Sequence, residues 1–232
     1  MTQTVRAYLE VGKKRAFAGA VAWPGWCRAA RDPDAALVVL AAYAPRYAQA
    51  IGAAGGGGSG RSHPTFRPVD DVTGFTVVER LDGNTSTDFG VPEAVGAFDD
   101  VDLDEQEAAR QLALLQSCWA TFDDVAERHA GVELRKGPRG GGRSVEKIVG
   151  HVLGGEAGYL TTLGGRHKLD EEAPPTGEMG RVRQAAVEVF QMRVRGEPPP
   201  RAGRKLWPLR YWIRRSAWHA LDHAWEIEDR AP

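Results

Sequence analysis

The spacing of apolar positions changes period along this chain. "VRAYLEVG" from Val5 and "RAFAGAVAW" from Arg15 carry the alternation of half-buried strands, and Gly12, Lys13 and Lys14 between them predict a hairpin. Pro24 and Gly25 in "WPGWC" turn the chain, and a further strand is expected around Trp26. "DPDAALVVLAAYAPRYAQAI" predicts a helix with Asp32 as N-cap and Pro33 at its first position, bent or interrupted at Pro45. "GAAGGGGSGRSH", Gly52 to His63, offers little to pack and is expected to be a flexible linker. "GFTVVERL" from Gly74 is one more strand, closed by Asp82 and Gly83.

From Asp100 onward the period becomes helical. Leu103, Ala109, Leu112, Leu115, Trp119, Phe122 and Val125 share one stripe, which predicts a long amphipathic helix ended by Gly131. "SVEKIVGHVLGGEAGYLTTLG", opened by Ser144, "MGRVRQAAVEVFQMRV", and "WPLRYWIRRSAWHALDHAWEIEDR", with Pro208 in its first turn, add three more. Four helices in succession predict a bundle. The expected architecture is α+β: a ββαβ unit over residues 1–82 with a glycine-rich linker inside it (52–68), a connecting segment over 83–99, and a four-helix bundle over 100–232 that owns its core.

Composition narrows the class. With 30 Lys and Arg against 31 Asp and Glu, no global positive field draws the chain to nucleic acid or to an anionic membrane. Cys27 and Cys118 lie far apart in apolar settings, as buried thiols of a reducing compartment do. The first residues have no apolar signal region, and no uninterrupted apolar run reaches the ~18 residues of a membrane span, so a cytoplasmic location is expected.

Chemistry concentrates in "WHALDHAW", Trp218 to Trp225. His219 and His223 are one helical turn apart, so they share a face and suit either the core or a metal. His151 is the other histidine well inside a predicted helix; His129 and His167 fall at helix ends and His63 in the linker, where solvent-facing roles are expected. Three imidazoles from two helices suit a divalent transition metal and leave coordination positions open. Gly154 and Gly155 lie one turn beyond His151, either to leave space for a ligand or to allow close helix packing. Asp222 and Glu226 are candidates to orient the imidazoles, Glu226 being equally readable as a surface charge.

Arg215, one turn before His219, is a candidate to hold a substrate carboxylate; Arg214 cannot point the same way, so at least one of the two is expected to be solvated. Arg143 belongs to "RKGPRGGGR", which is either an anion-receiving loop at a helix start or a flexible basic connector. Tyr211, Trp218 and Trp225 recur every seven residues as a core stripe. "GNTSTDFGVP", Gly83 to Pro92, carries no assignable chemistry.

Two resemblances follow from these residues. The strand "YLEV", the turn "WPGWC" and the helix "DPDAALVVLAAYA" resemble the HicB-like fold. No DNA-binding segment of the kind HicB antitoxins add is visible, so a repressor role does not carry over. "EKIVGHVLGGEAGYL" followed by "RSAWHALDHAWEIEDR" resembles the DinB/YfiT-like superfamily, which includes mycothiol-dependent maleylpyruvate isomerases. That resemblance implies His151, His219 and His223 as ligands of zinc, with nickel or iron as alternatives. It further implies a thiol-dependent S-transferase or isomerase in which mycothiol, bacillithiol or another small thiol meets an electrophile. The competing reading is a non-catalytic module, whose metal only ties two helices and whose HicB-like unit recognises a partner. The homodimer is left open, and no catalytic side chain is assigned.

Overall fold

The computed structural model describes residues 4–55, 65–136, 142–170, 172–201 and 205–232. They form an α+β structure with a four-stranded sheet and seven α-helices. Strands β1 (Val5–Val11) and β2 (Ala16–Ala20) make the hairpin, and β3 (Cys27–Ala30) supplies the strand expected near Trp26. The sheet order is β3-β2-β1-β4, with β4 (Phe75–Asp82) parallel to β1 and its register shifted between Ala7 and Tyr8.

Helix α1 (Pro33–Ala42) begins where Asp32 accepts the amide of Ala35, and the chain breaks at Tyr43 before α2 (Ala44–Ile51). Proline at the second position of α2 is the cause, since it has no N–H to continue the first helix. The linker over 52–68 is partly built structure. Gly52–Gly55 form a 3₁₀ turn, residues 56–64 with His63 lie outside the described residues, and Phe66 is buried against the rings of Trp23, Trp26 and Tyr47. Glycine richness hid this aromatic anchor.

The connecting segment is also structured. It contains α3 (Thr85–Phe89), capped by Asn84, and a 3₁₀ turn at Ala97–Asp99. Glu10, wholly buried in β1, accepts from the hydroxyl of Thr87 and the amides of Glu93 and Ala94, which fastens this segment to the sheet.

The four long helices follow as α4 (Glu105–Arg128), α5 (Val145–Leu163), α6 (Pro175–Val194) and α7 (Leu209–Arg230). Helix α6 starts four residues before Met179, with Pro175 in its first turn, and α7 starts just after Pro208. α7 is the centre of the molecule, buried at every position from Tyr211 to Leu221. Trp218 packs with Tyr8, Phe17 and Cys27 of the sheet, and one apolar cluster joins Trp26, Leu40 and Tyr47 to Leu115, Cys118, Phe122 and Leu221. The core therefore runs across the boundary between the strand-rich and helical parts. Polar ties cross it as well: Arg214 holds Asp99 at 2.5 Å and the phenol of Tyr8 at 3.0 Å.

Candidate metal centre

His151 projects from the middle of α5, and His219 and His223 from successive turns of α7, where the two helices pack. The three offer nitrogen atoms that all lie within 4.8 Å of one another. Nε2 of His151 and Nε2 of His219 are 3.4 Å apart. Two ligands of a tetrahedral ion with metal–nitrogen bonds of 2.0–2.1 Å are separated by about 3.3–3.4 Å, so this pair fits such an ion. The rings stand at 60–86° to one another, with centroids 4.8–5.3 Å apart. Among the described residues, no cysteine or carboxylate joins the group.

The neighbours prepare the imidazoles for this role. Glu226 lies 2.8 Å from Nδ1 of His223, and because a carboxylate only accepts, Nδ1 donates and Nε2 keeps its lone pair. The hydrogen bond from His223, together with Arg230, holds the Glu226 carboxyl below its ordinary range. Arg230 donates to Glu226 and to the carbonyls of Arg135 and Arg143, so it ties the basic loop to the edge of the site. Burial, then the charges of His223 and Arg215, push His219 well below the usual imidazole range; His151 is lowered by burial, His223 and Arg143. Neutral imidazoles are what a metal requires.

Gly155 decides one of the open readings. A Cβ there would stand 2.5 Å from Cε1 of His219, so this glycine serves close approach of the ring. Gly154 is different. A Cβ at Gly154, or at Gly150 or Gly158, would meet nothing within 4 Å, so this face of α5 is open ground beside the exposed His151.

The remaining candidates separate. Asp222 is turned toward β3, where its carboxylate accepts from Arg28 at 2.9 Å, and the structure gives it no contact with an imidazole. Arg214 and Arg215 are both buried, against the expectation that one is solvated; Arg214 is neutralised by Asp99, whereas Arg215 lies over the rings of Trp218 and Tyr159. Arg143 stands close enough for its charge to depress both His151 and His219, and residues 137–141 of its loop lie outside the described residues. Nδ1 of His129 donates to the Val125 carbonyl, and His167 pairs with buried Glu178, so neither joins the cluster and His167 is not merely solvent-facing. Tyr159 was not among the residues that the sequence singled out. Its ring lies edge-on to His219 at 5.4 Å, and its signal was its position two turns beyond His151. No protein-family model, no curated protein and no solved structure matches the chain.

Proposed function

We propose that His151, His219 and His223 hold one divalent transition metal, zinc before nickel or iron, in a metal-dependent enzyme of thiol S-transferase or isomerase type. The observation that carries this reading is the convergence of three imidazole nitrogens from α5 and α7, with no fourth protein ligand among the described residues. A site closed for structural purposes has four protein ligands, whereas a catalytic one keeps a position free. The order of the histidines along the chain, one on the second bundle helix and two on the fourth, is what the DinB/YfiT-like resemblance implies.

Bound there, a divalent metal lowers the pKa of a coordinated thiol, so that the nucleophilic thiolate is available at neutral pH. The chain's own residues supply the rest. Burial keeps His219 neutral, Glu226 fixes the tautomer of His223, and Gly155 lets His219 reach its partner on α5. Glycines on the outer face of α5 leave room for a small thiol and an electrophile to approach from solvent.

Metal analysis of protein prepared without chelators tests the first half: about one equivalent per chain is expected, with severe loss in His151→Ala, His219→Ala and His223→Ala. The second half is tested with cobalt as the bound ion. Adding mycothiol, bacillithiol or a simple thiol should produce a sulfur-to-metal charge-transfer band that is absent in His219→Ala. Metal retention with no response to any thiol would replace the enzyme by a metal-tied, non-catalytic module.

A further inference from the structure

We infer that the histidine site takes an oxyanion, a carboxylate on the thiol or on its electrophilic partner, and that Arg215 is its receptor. The inference deepens the thiol reading of the metal centre and rests on it.

Arg215 is a buried cation without a counter-charge. It is 8% exposed, Nη1 is buried with no hydrogen-bond partner, and among the described residues no carboxylate lies within ion-pair distance. The chain treats its other buried guanidiniums differently. Arg214 is held by Asp99 at 2.5 Å, and Arg183 by Glu156 at 2.8 Å and Asp123 at 2.7 Å. A guanidinium taken out of water with no anion is costly, and aromatic faces offset only part of that cost. Those faces, Trp218 at 4.5 Å and Tyr159 at 5.3 Å, and a hydrogen bond to the neutral phenol of Tyr159 supply no negative charge. The nearby acids are committed: Glu226 to His223 and Arg230, Glu156 to Arg183, Asp222 to Arg28.

Its position makes this deficit useful. Arg215 precedes His219 by one helical turn, so the two side chains leave α7 about 5–6 Å apart on one face. Both Tyr159 and Trp218 also touch His219, with ring centroids at 5.4 Å and 6.2 Å, so the same two rings wall the arginine and the imidazole. Arg143 adds a second positive charge felt at the site. A ligand with a soft donor at one end and a carboxylate a few bonds away spans this geometry. The phenol of Tyr159, half-buried between Arg215 and His219, is placed to donate to the same oxyanion.

The test compares 3-mercaptopropionate with its neutral counterpart 3-mercaptopropan-1-ol, by calorimetry and by the cobalt charge-transfer band, on the full-length metal-loaded protein. The acid should bind at least tenfold more tightly than the alcohol, and the two affinities should converge in Arg215→Met. Arg215→Lys, which keeps a charge, should retain part of the preference and guards against a variant that fails to fold. Propionate added to protein already carrying the alcohol distinguishes the sources: tight, Arg215-dependent binding assigns the oxyanion to the second substrate, and no binding assigns it to the thiol. Equal affinities of acid and alcohol in the wild type, or a preference that survives Arg215→Met, overturns the inference and leaves the thiol reading intact. Arg215-dependent binding of propionate with no thiol band from either compound does the reverse.

Discussion

Gly155 and His219 are packed so closely that a single methyl group on the glycine would stand 2.5 Å from the imidazole Cε1. Neither can give way easily, because the glycine is helix backbone and the ring lies in the buried interface of α5 and α7. Gly155→Ala should therefore displace the ring from Nε2 of His151 and lower metal affinity by at least tenfold. Gly154→Ala, one residue away, meets nothing within 4 Å and should instead stabilise the protein by about 1 kcal/mol, as removal of a helical glycine does. Thermal melts with and without chelator, beside a competition titration for the metal, separate the two outcomes. Equal effects of the two substitutions would mean that ring contact does not govern the site.

How far this site could be read in advance depends on the kind of signal each residue carries. His151, His219 and His223 were legible because helical periodicity places i and i+4 on one face, and a third histidine lay inside a neighbouring helix. The hairpin, α1 and the four bundle helices were legible in the same way, through period and capping residues such as Asp32 before α1 and Ser144 before α5. Asp222 was misplaced because sequence spacing alone does not say which side of a fully buried helix faces the sheet. Arg28, 194 positions away, decides that. Phe66 and Asp99 escaped notice because each sits in an irregular segment, where burial comes from distant partners and no period announces it. The pairing of Arg214 and isolation of Arg215 follow from the same long-range geometry.

Glu226 offers a prediction on tuning. Its carboxylate both accepts from His223 Nδ1 at 2.8 Å and receives Arg230 at 2.6 Å, so it orients the ring and turns Nε2 toward the site as the ligand atom. Glu226→Gln keeps the shape but loses the charge. Metal affinity should fall about 10–100-fold, the usual effect of removing such a support, with helical circular dichroism unchanged. An affinity within twofold of wild type would reduce Glu226 to a surface charge.

Glu178 gives the acid side of the stability profile. The hydrogen bond from His167 is the largest influence on it; Arg181 and the Asp170 amide add to this, and together they hold the carboxyl down at about 2, against an ordinary value near 4.5. A carboxylate depressed on folding contributes stability that is fully present above the unfolded value and is lost as pH falls toward the folded one. Melting temperatures of wild type and Glu178→Gln should therefore differ most above pH ~4.5 and converge toward pH ~2. A gap that stays constant over that range would show that the substitution acts through packing alone.

The continuity of the core predicts that the bundle depends on the strands. A fragment beginning at Asp100 would uncover Cys118, Trp218 and Leu221, which now meet Pro24, the sheet and α1–α2 residues of the same apolar cluster. It would also strip Arg214 of both Asp99 and Tyr8, and loss of a partner from a buried ion pair costs about 3–5 kcal/mol. A total stability of about 5–15 kcal/mol leaves little beyond that. The fragment is expected to keep part of its helical far-ultraviolet signal, because α4 to α7 are long. It should lose its near-ultraviolet signal and its sharp melt, as a compact state without specific packing does. Restoring residues 1–99 as a separate chain should recover both if the interface assembles in trans. A cooperative melt from the fragment alone, at a temperature close to that of the whole chain, would show that α4 to α7 own their core after all, and that the sheet is an addition to a self-sufficient metal-binding bundle.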